Sequence, residues 1–522
     1  MGNRKPNLLF IMADQLAAPA LPAWGNRVAR TPHLDALAAR GAVFDSAYCN
    51  FPICAPSRAS MLTGRLPHAI DAFDNAAEFP ASLPTMAHYL VSLGYRATLC
   101  GKMHFIGPDQ LHGFEERLTT DIYPSDFAWT PDFTAGPSHR PTGVSMRPIL
   151  EAGPSVRTLQ IDYDDEVEHH ALQRLYDHAR APEERPFFLT VSFTHPHPPF
   201  VTGQAHWDRY RHDDIDMPAV APIPYEQLDP HSQWLYEAHA RNLYSVSEAH
   251  VRNARHAYYA MTSYVDDKIG RLMAALRDCR LAEDTIVVFA VDHGEMLGER
   301  GMWFKQTFFE WSARVPLIVA GPGIAAGRVG AHVSLVDLLP TFLDLATDGR
   351  PPAPVDPLDG RSLLPLIDRR EPGEHRIAIA EYSSEGVCAA SRMVREGRYK
   401  YVYTRGLPPM LFDLVADPHE LENLAGSAAA AEAEARLRTR ALEGWDPERV
   451  HARILASQRR RHFLRDVAQR SGRYPNWAYQ PFADASRRYV RGGGTAGPTG
   501  AKARARFPYV EPAKPDRAPE TP

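Results

Sequence analysis

An α/β fold with a large, mostly parallel sheet is what this sequence predicts, and three observations predict it. Apolar runs of strand length recur along much of the chain, several ending at a polar residue. Stretches with helical spacing lie between them, as in folds that alternate strand and helix. Past Glu371 the runs become short and alternating, which announces a second, smaller antiparallel sheet.

The elements follow in order. NLLFIMA (Asn7–Ala13) is apolar throughout, as a strand buried on both faces must be. TPHLDALAARG places Leu34, Leu37 and Ala38 at helical spacing and stops at Gly41. CAPSRASMLTG (Cys54–Gly64) is a helix-like run closed by Thr63 and Gly64. ATLCG (Ala97–Gly101), PFFLTVSF (Pro186–Phe193), DTIVVFAVD (Asp284–Asp292) and VPLIVAGPG (Val315–Gly323) read as further strands. Between the second and third of these, Ala257, Met261, Val265, Ile269, Leu272 and Leu276 form the apolar face of one long helix. HRIAIAEYSS, SRMVREGRYKYVYT and LFDLVADP supply the smaller sheet, and a helix is expected from Ala428 to Leu442. After Trp477 the chain becomes rich in Gly and Pro and cannot build a core alone, so it is expected to be disordered or to lie on another subunit. Expected units are residues 1–370, 371–447 and 448–522.

Composition narrows the function. The 522 residues carry 58 basic and 63 acidic side chains, a net charge of −5, which provides no basic surface for nucleic acid or an anionic membrane. No run approaches the roughly 20 apolar residues that span a bilayer. Five cysteines are few and odd in number, against a disulfide framework and in keeping with a reducing compartment. The apolar run Leu8–Met12 is short for a signal peptide and is soon followed by Asp14. A cytoplasmic protein is expected.

In such sheets ligands gather beyond the carboxyl ends of the strands. Asp14 and Gln15 follow the first strand, Lys102 and His104 follow ATLCG, and His195 and His197 follow FFLTVSF. Asp292 and His293 close TIVVFAV, with Lys305 a little beyond. Each alone is an ordinary turn, cap or solvated residue. Together they place carboxylates, imidazoles and ammonium groups on one edge. Oxygen-rich company with histidine suits a divalent cation such as Ca, Mg or Mn. The two lysines favour an anionic substrate. There is no Cys/His tetrad with zinc spacing, no G-x-S-x-G elbow and no P-loop.

The motifs carry a resemblance. CAPSRASMLTG resembles the C-x-P-S-R signature of the formylglycine-dependent sulfatases, within the alkaline phosphatase superfamily, and SLGYRATLCGKMH resembles their second signature. VDHGEMLGERG and LFDLVADPHELENLA are similar to further family patterns. The resemblance implies a three-layer sandwich and a sulfuric ester hydrolase. It implies that Cys54 is oxidised to formylglycine by a formylglycine-generating enzyme, and that Asp14, modified Cys54, Asp292 and His293 hold one metal ion. Ca is the first expectation, with Mn and Mg open. It further implies that Arg58 orients residue 54, that His104 is a base, and that Lys102 and Lys305 contact the sulfuryl group. His195 is the implied acid, with Lys305 or His197 as alternatives.

The narrower resemblance is to the choline sulfatase subfamily, through DNAAEFP, GKMHFIGPDQLHGFEERLTTDIYPSDFAWTPDF, SFTHPHPP and the stretch from SQRRRHFLRDVAQ to RRYVR. It implies a small sulfate ester as substrate and a homodimer or homotetramer. Trp129 is then the aromatic face for a trimethylammonium group, Glu385 its charge partner, and Gln15 and Asn75 further substrate contacts. One departure is that Gly492, Gly493 and Gly494 follow YVR where relatives carry an Asn/Asp-bearing segment. Readings from other classes are a phosphonate monoester or phosphodiester hydrolase, an arylsulfatase, and a catalytically inactive binding or scaffold protein.

Overall fold

A computed structural model describes residues 5–180, 184–369 and 376–482. In chain order the strands are β1 (Asn7–Ala13), β2 (Gly41–Tyr48), β3 (Arg96–Gly101), β4 (Glu116–Arg117) and β5 (Gly153–Ser155). Next come β6 (Phe187–Ser192), β7 (Val201–Gly203), β8 (Thr285–Val291), β9 (Arg314–Val315), β10 (Leu317–Ala320) and β11 (Gly327–Ser334). The last four are β12 (Ile377–Tyr382), β13 (Ser391–Glu396), β14 (Tyr399–Thr404) and β15 (Met410–Asp413).

Nine of these form the main sheet, in the order β11-β2-β10-β8-β1-β6-β3-β4, with β9 added beside β2. β1 is central and runs parallel to β6 and β8, with Ile11 opposite Val191 and Phe289. β1 is wholly buried, which is why it reads as a continuous apolar run. β10 is antiparallel to both its neighbours, so the sheet is mixed but mostly parallel. β2 and β11, which the apolar runs did not announce, complete one edge.

Helices cover both faces. Phe342, on the helix Leu338–Thr347, packs its ring against Phe10 and Phe188 on one side. On the other, the Cys100 thiol reaches the Val167 carbonyl of the helix Leu159–Arg180 at 3.2 Å. Cys100 pairs in register with Val191 and hence Ile11, and Ile11 and Phe10 point to opposite faces by the period of two. The expected long helix is Glu248–Asp278, capped by Ser247, with Ala257, Met261, Val265, Ile269, Leu272 and Leu276 all buried.

The second sheet, β12-β13-β14-β15, is antiparallel throughout. The helix Ala431–Leu442 lays Leu437 and Ala441 against Val394, Tyr401 and Leu411. A further helix, Pro447–Ser471, starts at the Asp446 cap and ends at Gly472, whose φ of 66° only glycine and a few polar residues adopt readily. The Gly-rich tail beginning at Gly492 lies outside the described residues.

Candidate active site

Four strand ends and one helix start meet at a single point. Asp14 follows β1, Lys102 follows β3, His195 and His197 follow β6, and Asp292 and His293 follow β8. Cys54 opens the helix Cys54–Thr63, all ten of whose residues are buried. Asp14, Cys54, Asp292 and His293 each offer one ligand atom, and these atoms lie within 4.8 Å of one another. The Cys54 Sγ is 3.2 Å from His293 Nε2, 3.7 Å from Lys102 Nζ and 3.8 Å from Asp14 Oδ1. Two carboxylates, one imidazole and the residue 54 side chain in a buried pocket fit a hard or borderline divalent cation.

Arg58 locks this cluster. Its Nε donates to Asp292 Oδ2 at 2.8 Å and its Nη2 to Asp14 Oδ2 at 3.1 Å, so one guanidinium bridges both carboxylates. Its remaining contacts go to the Lys102 carbonyl and the Ser192 hydroxyl, at 2.7 and 2.9 Å. Among the described residues no hydrogen bond links Arg58 to the unmodified Cys54; the guanidinium fixes the two carboxylates beside it. Ser192 was not singled out in the sequence. It lies against Gly101, where a Cβ would meet the Ser192 carbonyl oxygen at 2.0 Å, so the close approach of β3 and β6 requires glycine.

The electrostatics favour anions. Lys102, fully buried, pairs with Asp14 and sits 4.5 Å above the Tyr123 ring. Burial works against the Asp14 carboxylate, but the Lys102 ammonium and the Arg58 guanidinium hold its carboxyl well below the usual range. Arg58 and Lys102 already balance Asp14 and Asp292, so a divalent cation leaves the pocket positive.

His104 has a positive φ of 58°, held by Asp121, which accepts from the Met103 and His104 amides at 3.0 and 2.8 Å. Its Nε2 meets the Ser125 hydroxyl at 2.6 Å, while its buried Nδ1 has no hydrogen-bond partner among the described residues. Trp129 stands with its ring perpendicular to His104, centroids 6.0 Å apart. Asn75 accepts the Ala55 amide at 3.0 Å, steadying the first turn of the Cys54 helix.

The two histidines after β6 part company. His195, the expected acid, is held through Nδ1 by Asp164 at 2.6 Å and packs on the Tyr264 ring. His197 instead brings its Nε2 to 3.1 Å from Lys305 Nζ and its Nδ1 to 2.7 Å from the Pro198 carbonyl. The carbonyl can only accept, so Nδ1 carries the proton and Nε2 accepts from Lys305. Burial, with Lys305 and Lys102 close by, holds the His197 imidazole well below its ordinary pKa and so neutral. Of the two, His197 is the one that meets Lys305, while His195 is turned to Asp164.

Gln15 (φ 61°) accepts from Lys305 and donates to Glu295, which makes it the post that aims the lysine. Glu385 is buried, its Oε2 accepting from the Thr142 hydroxyl at 2.6 Å and its Oε1 3.4 Å from Gln306 Nε2. Burial raises its pKa, countered by Thr142 and Lys305. Asp121, Asp164 and Glu295 escaped the sequence reading. Only Glu295 left a signal, three residues after Asp292.

Comparison with known proteins decides the family. The profile of the sulfatase family matches residues 6–348.

The chain belongs to the sulfatase family.

It is a sulfuric ester hydrolase, and the inactive-scaffold reading is set aside. Two further profiles match, "N-sulphoglucosamine sulphohydrolase, C-terminal" over residues 298–444 and "Choline sulfatase enzyme C terminal" over residues 452–507. The choline-sulfatase of Rhizobium meliloti is 45% identical over 503 residues, covering 94% of this chain and 96% of that protein. Human arylsulfatase K is 30% identical over 447 residues, covering 81% of this chain and 79% of that protein. Among solved structures, the phosphonate monoester hydrolase of Agrobacterium radiobacter superposes with a TM-score of 0.69 at 26% identity, covering 86% of this chain and 96% of that one. The alkaline-phosphatase-like sandwich of these sulfatase relatives is the fold described above.

Proposed function

We propose that this sulfatase hydrolyses choline-O-sulfate to choline and sulfate, using Cys54 after its conversion to formylglycine. The observation that carries the reading is the half-buried Trp129 ring standing edge-on to His104, an aromatic face of the kind that a trimethylammonium group needs. The similarity supports it: 45% identity to a choline-sulfatase exceeds 30% to an arylsulfatase, over more of the chain.

When present, the metal ion acts as a Lewis acid and the hydrated formylglycine provides the attacking oxygen. Asp14, Asp292 and His293 hold the ion together with residue 54, and Arg58 keeps the carboxylates in place. Calcium is the proposed ion, Mn and Mg the alternatives. Lys102 and Lys305 face the sulfuryl oxygens, where negative charge grows. Lys305 carries the proton for the departing alkoxide, with Gln15 and His197 Nε2 fixing its direction. His104, whose Nδ1 is free, serves residue 54 as base. Trp129 and Glu385 hold the cationic end and Asn75 the sulfate end.

The division at residues 370 and 447, maturation by a formylglycine-generating enzyme, a cytoplasmic location and a homodimer or homotetramer belong to the same proposal. No helix among the described residues is long and apolar enough to cross a membrane.

The test combines mass and rate. In an active preparation the peptide bearing Cys54 should be about 18 Da lighter than its cysteine form. Choline-O-sulfate should be turned over faster than an aryl sulfate, and a phosphonate monoester slowest. Activity from wholly unmodified Cys54 would sink the nucleophile. A phosphonate preference would favour the second reading, which the TM-score of 0.69 to a phosphonate monoester hydrolase recommends.

A further inference from the structure

The helix Pro447–Ser471 buries an unusual face. Val450, Ile454, Gln458 and Arg461 are its buried residues, three or four apart, so the lower half of the face is polar where a docking helix ordinarily presents leucine. Arg461 is 4% exposed and Asp74 1%. The guanidinium grips Asp74 with both forks, Nη1 to Oδ1 and Nη2 to Oδ2, each at 2.6 Å. Nη1 also reaches the Thr130 hydroxyl at 3.2 Å. One turn earlier the Gln458 side-chain Oε1 accepts from the Phe133 amide at 3.1 Å, and His462 meets the Pro131 carbonyl at 3.0 Å.

These contacts converge on two loops of the site. Asp74 precedes Asn75, which holds the Ala55 amide beside residue 54. Thr130 follows Trp129. Asp74 is further tied down by the Ala76 amide at 2.9 Å, and the Phe73 carbonyl accepts from Ser383, two residues before Glu385. A bidentate Arg–carboxylate pair fixes direction as well as distance. A buried pair of this kind adds little net stability but leaves a bare charge if one partner goes.

We propose that Arg461 is a positioning residue for substrate selectivity: through Asp74 and Thr130 it sets the distance between Asn75 and Trp129, and so the length of sulfate ester that the pocket accepts. Arg461 touches no reacting atom. The C-terminal helix is thereby a template for the pocket wall. This rests on Asn75 and Trp129 being substrate contacts, as proposed above.

The test uses the full-length, formylglycine-bearing enzyme, with kcat and KM measured on choline-O-sulfate and on 4-nitrophenyl sulfate. Arg461→Met should raise KM for choline-O-sulfate and lower its kcat/KM relative to the aryl ester by about tenfold, as sub-ångström misplacement does. Arg461→Lys, which keeps the charge and loses the fork, should restore part of that ratio. Asp74→Asn should mimic Arg461→Met, and the pair should be non-additive. Should Arg461→Met fail to fold, the Asp74→Asn/Arg461→Met double variant removes both buried charges and carries the same comparison. Parallel losses on both esters, or a lower Tm with an unchanged ratio, would overturn the proposal. Asn75→Ala and Trp129→Ala separate the two levels. If they shift the ratio and the Arg461 variants do not, the template fails and the substrate reading stands. If they leave it unchanged, both fall.

Discussion

At the metal cluster, every group comes from the end of a strand or from one helix, whereas the proposed substrate contacts Asn75, Trp129 and Glu385 come from loops and a short 3-10 turn. The cluster residues Asp14, Arg58, Lys102, Asp292 and His293 are all 0% exposed, and Arg58 by itself ties four strand ends to the helix. The proposed substrate contacts have no strand pairing to frame them. Asn75 hangs on the Ala55 amide, Trp129 on a single 3-10 turn capped by Asp126, and Glu385 on Thr142. Chemistry sits on rigid sheet edges, where sub-ångström placement is inherited from backbone pairing. Selectivity, on the proposed reading, sits on loops that distant side chains can re-set.

The largest effects should therefore come from the cluster, and should be indifferent to the substrate. Asp14→Ala or Asp292→Ala removes a metal ligand and leaves Arg58 half-paired in a buried site. Each should abolish turnover of every ester and release the ion, read by elemental analysis of the purified protein. Retained metal and activity would break the comparison at its root.

Next in size is the proton. His197→Ala or Lys305→Ala should lower turnover of an alkyl sulfate by about 10²–10⁴-fold, and of an aryl sulfate much less, because an aryl oxide leaves unprotonated. His195→Ala, aimed at a side chain clasped by Asp164, should spare that distinction. A selective loss on alkyl esters from His195→Ala, with His197→Ala silent, would reverse the assignment.

A wall substitution should be smaller and selective. Trp129→Ala removes a cation–π contact of about 2 kcal/mol, which corresponds to about 30-fold on choline-O-sulfate. The aryl ester should change little. Equal losses would make Trp129 a packing residue.

The smallest effect concerns pH. Burial raises the Glu385 pKa, so this carboxylate takes up its proton at a higher pH than an ordinary glutamate. On acidification the negative partner of the ammonium group is lost early, and KM for choline-O-sulfate should rise while KM for an aryl sulfate, which has no cationic end, holds. Glu385→Gln should flatten that pH dependence. A KM for choline-O-sulfate that does not respond to acid in the parent enzyme would remove Glu385 from the wall.

By itself the sequence determined strands β1, β3, β6, β8 and β10, the long helix, the second sheet and the residues of the cluster. Each is written in local spacing: a period of two or four, or a polar residue directly after an apolar run. Asp14, Lys102, Asp292 and His293 were legible because a parallel sheet must bring its carboxyl ends together. β2 and β11 were not, since the Asp45 and Ser46 side of β2 and the exposed start of β11 break the apolar run. Only tertiary structure separated His195 from His197. Both follow the same strand at a spacing of two, and what decides between them is Asp164, supplied by the helix Leu159–Arg180 and bonded to the Thr194 and His195 amides. Only tertiary structure, too, joined Arg461 to Asp74, 387 residues away along the chain. A salt bridge of that span leaves no periodicity behind, because its two halves meet only after everything between them has folded.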